Sequence, residues 1–154
     1  MSTSTKAPAT QSRTQRIGDA IVRAILRSPL HPLLSKRLLI ITVSGRKTGR
    51  EYANPVAYAE HQGHLLIGTA ANWRRNLIPD TPVRIHLRGT DIQADHEIIT
   101  DELRATTLYR EILTRNPAHG RFAKIHLNPD GTVNLPALRQ ALTNGTAIVR
   151  LRPR

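Results

Sequence analysis

The stretch from Leu38 to Pro55, LLIITVSGRKTGREYANP, constrains the fold more than any other part of the chain. An apolar run enters a turn, GRKTGR over residues 45–50, and a second extended run leaves it. A glycine at the start of the turn and another near its end allow the backbone to take positive φ values at little cost. The pattern therefore predicts two antiparallel strands joined by a turn that carries three cations and the Thr48 hydroxyl.

This turn has two interpretations. Backbone N–H groups, Lys and Arg charges and a hydroxyl can together bind one anion, which would make the turn a phosphate cradle. Most turns are only solvated connections, and the residue types taken alone favour that simpler interpretation. The turn is not a Walker loop, because the G-x-x-x-x-G-K-[ST] spacing is absent and a strand, not a helix, follows.

The composition bounds the class of protein. A chain of 154 residues has the length of one domain, and its 3% aromatic content predicts a largely aliphatic core. The absence of cysteine excludes disulfides and thiolate metal sites, so any redox chemistry requires a bound cofactor. The pair His61-x-x-His64 straddles a predicted turn with no acidic ligand at a suitable spacing, and we expect no metal site.

The formal net charge of +12 requires an anionic partner: nucleic acid, an anionic membrane or a polyanionic small molecule. Lys and Arg are spread over every segment, and the chain has one Phe, one Trp and three Tyr. Single-strand binders stack bases on aromatic side chains, which are scarce here. This scarcity argues against nucleic acid, which we do not expect as a partner, but the charge alone does not choose among the three classes.

The N-terminal part divides in two. Residues 1–15, rich in Ser, Thr, Ala and Pro, predict a disordered tail, and residues 16–154 predict a single domain. Apolar residues at helical spacing over 16–30 predict a helix packed on that domain. The alternative is peripheral contact with an anionic membrane through the arginines of this helix. The N-terminus lacks the hydrophobic centre of a signal peptide, which favours a cytoplasmic location.

The remaining pattern predicts a small closed antiparallel barrel with flanking helices. Apolar runs, alternation and turn residues predict strands at Arg37–Ser44, Glu51–Glu60, His64–Thr69, Val83–Leu87, Asp91–Ile99 and Thr146–Leu151. Pro55 places the second strand at an edge or a bulge. A long helix follows Thr100 as N-cap and ends at Asn116-Pro117, with a buried side predicted to comprise Leu103, Thr107, Leu108, Ile112 and Leu113. A second helix is expected from Pro136 to Asn144.

GRKTGR, followed by an N-P strand and by Trp73-x-x-Asn76-Leu77, resembles the deazaflavin-dependent nitroreductase family over about residues 38–99. The resemblance implies a split β-barrel, FMN-binding-like, with helices around it. It implies an enzyme that transfers a hydride from reduced coenzyme F420 to a conjugated, quinone-like or nitro small molecule. The alternatives on the same fold are an FMN-dependent oxidoreductase and a non-catalytic carrier of a cofactor or lipid. Monomer and homodimer both stay open.

The resemblance also implies roles for three segments. The loop Gly45, Arg46, Lys47, Thr48, Gly49 and Arg50 would hold the cofactor phosphate. Asn72, Trp73, Asn76 and Leu77 would line the cofactor pocket, and Asn54, Pro55 and Val56 would run beneath the deazaflavin ring. The simpler alternatives are that Trp73 belongs to the core and that Asn76 caps a turn.

His119 is the predicted catalytic residue. Members of the resembled family supply a proton from tyrosines just after the long helix, whereas this chain reads NPAHGRF over 116–122, with His119 in the middle tyrosine's place. Imidazole can act as an acid near neutral pH. The alternative is an inert loop histidine. The loss of the tyrosines points away from nitro compounds, and the long segment over 124–145 is expected to form a lid.

Overall fold

The computed structural model describes residues 37–154. Within them the chain forms seven strands, three α-helices and one short 3-10 helix. The strands are β1 Leu38–Ser44, β2 Glu51–Ala57, β3 Ala59–His61, β4 His64–Thr69, β5 Val83–Leu87, β6 Thr90–Ile99 and β7 Ala147–Pro153. The α-helices are α1 Glu102–Arg115, α2 Pro117–Ala123 and α3 Leu135–Thr143, and the 3-10 helix spans Asn72–Asn76.

All the strands pair antiparallel in one sheet of order β2-β1-β5-β6-β7-β4-β3. The two edge strands, β2 and β3, are separated only by Tyr58, whose amide donates to the Arg37 carbonyl at 2.9 Å. The chain thus passes from one end of the strand order to the other without a loop, which requires the sheet to curl. The predicted second strand is confirmed in extent, but it pairs with β1 before Tyr58 and with β4 after it.

The curled sheet encloses an aliphatic core. Alternate residues of the strands point inward and are buried, as the period of two requires. This inner cluster comprises Leu39, Ile41, Val43, Leu65, Ile67, Val83, Ile85, Ala94, Val149 and Leu151, together with Tyr58, Trp73 and Leu77. The low aromatic content is thus accommodated by branched aliphatic side chains.

A second core lies on the outer face of β4, β6 and β7, under the helices. It contains Leu66, Ile99 and Ile148 from the sheet. The helices and the segment between them contribute Ala105, Tyr109, Ile112, Leu113, Ile125, Val133, Leu138 and Ala141. The strands β4 and β7 are therefore covered on both faces over residues 65–67 and 147–149, which explains their continuous apolar runs there.

The helix α1 begins one residue later than predicted. Asp101 is its N-cap, because its carboxylate accepts from the Arg104 amide at 3.1 Å. Leu103 was expected to be buried and is 82% exposed, so that prediction is wrong, and Thr107 is exposed as well. The buried side is set by Tyr109 and its neighbours at helical spacing, listed above with the second core.

The region after α1 differs most from the prediction. Pro117 ends α1 but also begins α2, where its missing N–H costs nothing at the first helical position. The expected lid over residues 124–145 is wrong in the structure, because Ile125, Val133 and Leu138 of this segment are buried in the second core. The predicted second helix is confirmed as α3, capped by the Asn134 side chain on the Ala137 amide at 2.9 Å.

The predicted fold class is confirmed in part, as a mainly antiparallel, curled β-sheet with helices after it. The expected closed barrel is not formed by the described strands, because β2 and β3 end the strand order and do not pair with each other. The tail over residues 1–15 and the helix over 16–30 lie outside the described residues. Between residues 37 and 154 no helix has the length and apolar character that would let it cross a membrane.

Candidate functional site

The basic loop, residues 45–50, joins β1 to β2 above the Ser44–Glu51 pair. Two backbone hydrogen bonds hold it, from the Gly45 amide to the Arg50 carbonyl at 2.8 Å and from the Gly49 amide to the Gly45 carbonyl at 2.9 Å, and the Arg50 amide also donates to the Thr48 hydroxyl at 3.3 Å. Gly49 has φ 67°, a conformation that favours glycine. A Cβ on Gly45 would lie 3.1 Å from the Tyr52 ring, so a small residue is needed there too.

The basic loop presents unsatisfied donors. Arg46, Lys47 and Thr48 are exposed, and within residues 37–154 their backbone amides have no hydrogen-bond partner. The loop cations form no ion pair in the same part of the chain, although the Arg50 guanidinium lies 5.7 Å from the centre of the Tyr52 ring. Three adjacent N–H groups beside cations fit a phosphate in donor type and in charge.

The 3-10 helix lies at the same end of the sheet as the basic loop. The C-terminal end of β1 pairs with the start of β5 (Thr42 with Arg84), and the end of β4 pairs with the start of β7 (Thr69 with Ala147). The 3-10 helix, which follows β4, contacts β1 across this end. Sequence segments about twenty residues apart are thereby brought to one end of the sheet.

Of the predicted pocket residues in this helix, Trp73 and Leu77 are 8% and 5% exposed and belong to the inner core. The core interpretation of Trp73 therefore describes its surroundings in the structure. Asn76 and Leu77 also line a cavity of 220 Å³ that reaches Ser44 and Glu51 at the base of the basic loop. This cavity therefore lies between the base of the basic loop and the C-terminal end of the 3-10 helix.

Arg74 links the 3-10 helix to the turn that precedes β7. Its Nη2 donates to the carbonyl of Gly145 in the turn before β7. Its Nε is buried and has no hydrogen-bond partner in the described residues. The position of Asn72–Asn76 is thus tied to both β1 and the start of β7.

The β2 residues occupy the edge of the sheet, as Pro55 predicts. Pro55 pairs with Ile40 and is exposed. Because β2 has a neighbouring strand on one side only, the missing N–H of Pro55 is tolerated there. The Asn54 side-chain amide donates to the Tyr52 carbonyl at 3.2 Å, and Val56 packs against the inner core. Their role at a ring stays a prediction.

His119 lies on α2 and faces the outer side of β4, not the basic loop. Its Nε2 is 3.4 Å from the hydroxyl of Tyr109 on α1, with ring centres 5.7 Å apart. Both polar atoms sit over Gly68, where a Cβ would overlap the Tyr109 hydroxyl and lie 2.7 Å from His119 Nε2. Only glycine in β4 leaves room for this pair, and the three residues share a cavity of 530 Å³.

Burial shifts the acid–base properties of the pair in opposite directions. Desolvation lowers the pKa of His119 below 6.5 and raises the pKa of Tyr109 above its ordinary value of 10.0. Both groups are therefore neutral at pH 7. The sequence predicted that a useful fraction of His119 is protonated at neutral pH. The lowered pKa of His119 reduces that fraction, and protonated His119 increases only as the pH falls.

The structure thus brings the predicted residues into two places at one end of the sheet. Ser44 and Glu51, which flank the basic loop, share one cavity with Asn76 at the end of the 3-10 helix, and His119 lies at the other cavity, which includes residues 68–71 just before Asn72. Tyr109 and Gly68 were missed by the sequence reasoning. Residues 37–154 contain no group of three His, Asp or Glu side chains placed to hold a metal ion.

Solved structures resemble this chain in fold. A conserved hypothetical protein from Mycobacterium tuberculosis has a TM-score of 0.55 and 16% identity, over 99% of this chain and 86% of that one. A structure described as a domain-swapped dimer has 0.50 and 12%, over 91% and 99%. An F420-H2 dependent reductase has 0.49 and 12%, over 75% and 94%. No curated protein matches the chain.

A curled antiparallel sheet with an exposed cationic loop at one end defines a β protein suited to binding an anionic ligand. Within that class, the chain belongs to the F420H(2)-dependent quinone reductase family, whose sequence profile matches residues 14–126. The resemblance drawn from the sequence is thus confirmed. The protein is an F420-dependent oxidoreductase with coenzyme F420 as its cofactor, and the family favours the deazaflavin over FMN. The donor set of the basic loop fits the phosphate of such a cofactor.

Proposed function

We propose that this protein is an F420H2-dependent reductase of a conjugated, quinone-like small molecule, on a split β-barrel. One observation supports the proposal most: the basic loop combines exposed cations and free amides at the end of the sheet that the 3-10 helix covers. Within the family shown above, a polyanionic cofactor is the partner that such a loop suits.

In this proposal Lys47, Arg46 and the amides of residues 46–48 bind the cofactor phosphate. The Arg50 guanidinium, near the Tyr52 ring, adds charge, while only the Arg50 backbone takes part in the hydrogen bonds of the loop. Asn76 and Leu77 extend the site from the loop base along the 3-10 helix, and the buried Trp73 anchors that helix in the core. Asn54, Pro55 and Val56 form the edge over which the ring system would lie.

The bound cofactor supplies the hydride, and the protein must orient the acceptor and provide a proton. We assign the proton to His119, through the edge of its ring that faces Tyr109. Because burial lowers the pKa of His119, its protonated form increases as the pH falls below about 6.5. A rate limited by this proton should therefore rise toward acidic pH and should already be low at neutral pH.

Titration with F420 and with FMN tests the proposal directly. The two chromophores absorb in the violet and in the blue, so each can be followed in the same cuvette. We expect F420 to bind more tightly than FMN and reduced F420 to be oxidised when a quinone is added. Equal or tighter binding of FMN would assign the protein to the FMN-dependent alternative. Binding of F420 with no oxidation by any quinone would favour a carrier.

A further inference from the structure

The cavity that holds His119 is large enough for a ligand of its own. It measures 530 Å³, which falls in the range of small-molecule sites, and it lies on the outer face of β4 between the three helices. Its floor is Gly68 with the Tyr109 hydroxyl and His119 Nε2 above it. Its walls are mostly small apolar side chains, namely Ala70, Ala71, Ala123, Ala137 and Ala141. We call it the His119 cavity.

The floor of the His119 cavity can meet either a donor or an acceptor. When Nε2 carries the proton it can donate to the Tyr109 oxygen, and the Tyr109 O–H is free to donate to a ligand. When Nδ1 carries the proton, Tyr109 donates to Nε2 and its oxygen still accepts. At 3.4 Å the Tyr109–His119 hydrogen bond is long, so a ligand oxygen can compete for it. A carbonyl that becomes a hydroxyl on reduction suits such a pair in both states.

The rim of the His119 cavity carries one positive charge. Lys124 is the sole residue with a formal charge at neutral pH among those that line the cavity. It is exposed and, in the described part of the chain, makes no ion pair. It ends α2 with φ 57°, a left-handed conformation that turns the backbone at the rim. The other polar groups near the rim, Gln140 and Asn144, already bond each other at 3.2 Å.

We propose that the His119 cavity binds the substrate, and that this substrate is a flat conjugated carbonyl compound bearing an anionic group. Its carbonyl meets Tyr109 and His119 on the floor, its ring lies between the alanine walls, and its anionic group faces Lys124. This inference rests on the proposed function, since it names the substrate class for the same reaction. Lys124 is then the residue that selects an acidic acceptor over a neutral one.

Two quinones that differ in charge test the inference: naphthoquinone sulfonate, which is anionic, and menadione, which is neutral. Binding is measured by calorimetry on the folded protein without cofactor, so the result does not depend on turnover. We expect the sulfonate to bind more tightly than menadione. Lys124→Asn, which tolerates the left-handed backbone, should weaken sulfonate binding by about three- to ten-fold and leave menadione unchanged. Arg121→Gln is the matched control, since Arg121 is exposed on α2 and lines a different cavity.

Filling the cavity gives a second test. Ala137→Leu places a larger side chain in the wall and should weaken both quinones, whereas Thr143→Leu on the same helix, outside the cavity, should weaken neither. Circular dichroism confirms that each variant is folded. Equal affinity of the two quinones, or no effect of Ala137→Leu, would overturn the inference. F420 affinity is measured in parallel: if F420 binds normally while the quinone results fail, the inference is wrong and the proposed function stands, and if F420 fails to bind, the proposed function is wrong.

Discussion

Two groups of cations in this protein have the same residue types and opposite surroundings. In the basic loop, Arg46, Lys47 and Arg50 are exposed and have no acidic partner within residues 37–154. Along β6 and β7 a second group, the arginine ladder, comprises Arg104, Arg150, Arg152 and Arg154. Each member of the ladder binds Asp95 or Glu97.

The ladder follows from strand register. Glu97 pairs with Arg150 and Asp95 with Arg152 on one face of β6 and β7, at the spacing where opposite charges attract across strands. Arg104 lies 2.5 Å from Glu97, and Arg154 lies 2.8 Å from Asp95. Hydrogen bonds from these arginines lower the pKa of both carboxyl groups. A formal charge of +12 is therefore a poor guide to binding, because the informative cations are those left unpaired.

The largest expected difference between the two groups is in cofactor affinity. Lys47→Ala should weaken F420 binding by about 1.5–3 kcal/mol, the range for a charge-assisted hydrogen bond, with the unfolding free energy unchanged. Arg152→Ala in the ladder is the matched control and should leave F420 affinity as it was. Fluorescence titration and chemical denaturation measure the two quantities. An equal loss of F420 affinity in the two variants would contradict the proposed difference between the basic loop and the arginine ladder.

The second largest expected difference is in the response to salt, which should weaken F420 binding by the basic loop more than it weakens the ion pairs of the ladder. Raising the ionic strength from about 0.05 M to about 0.5 M shortens the screening length several-fold, and F420 affinity should fall by about five- to ten-fold. The unfolding free energy should change much less, because the ladder pairs are held at contact distance. An F420 affinity that does not depend on salt would remove the electrostatic role of the basic loop.

Breaking the ladder should have the reverse outcome. Glu97→Gln should lower the unfolding free energy at pH 7 by about 0.5–1 kcal/mol, as expected for a half-exposed ion-pair network, without changing F420 affinity. Because the folded protein lowers the pKa of Glu97, its stabilisation is present above the ordinary value of 4.5 and is lost as the pH falls through the lower folded value. The wild-type and variant denaturation curves should therefore converge in acid. A difference that persists at low pH would point to packing instead.

The smallest effect concerns His119, a third kind of basic residue that burial keeps neutral. Since its folded pKa lies below 6.5, protonation favours the unfolded chain, so wild-type stability is full above pH 6.5 and declines as the pH falls toward the folded pKa. His119→Gln should remove this part of the decline and flatten the stability profile between about pH 7 and pH 5. The measurement is denaturation across that window, and parallel profiles would place the imidazole in solvent.

The hairpins could be predicted from the sequence because their signals are local. Gln62-Gly63 and Arg88-Gly89 both adopt positive φ at two successive residues, the geometry of tight hairpin turns. The split at Tyr58 could not be predicted, since one alternating strand looks the same whether it pairs with one neighbour or with two in succession. Which way the sheet curls is a property of the assembled strands.

The predicted buried side of α1 was right for Leu108, Ile112 and Leu113 and wrong for Leu103 and Thr107. The two errors arose because the helix is oriented by Tyr109, which is fully buried against Gly68 of a distant strand. Only one of the two parts of the candidate site could be predicted from the sequence. The basic loop has its signal within six consecutive residues, whereas the Gly68, Tyr109 and His119 arrangement joins three elements that no local pattern connects.

The position of β7 has a consequence for biosynthesis. This strand, residues 147–153, pairs with β6 on one side and with β4 on the other. In the described sheet, the β3–β4 hairpin is joined to β5 and β6 only through these pairings. Residues 147–153 are the last of the described strands to be synthesised, and until then the other described strands form two separate groups, β2-β1-β5-β6 and β4-β3. Long-range pairing of this kind slows folding, and the exposed strand edges are a risk for association with other chains during that interval. The described sheet is therefore completed only when residues 147–153 pair on both sides, whichever of the other strands pair first.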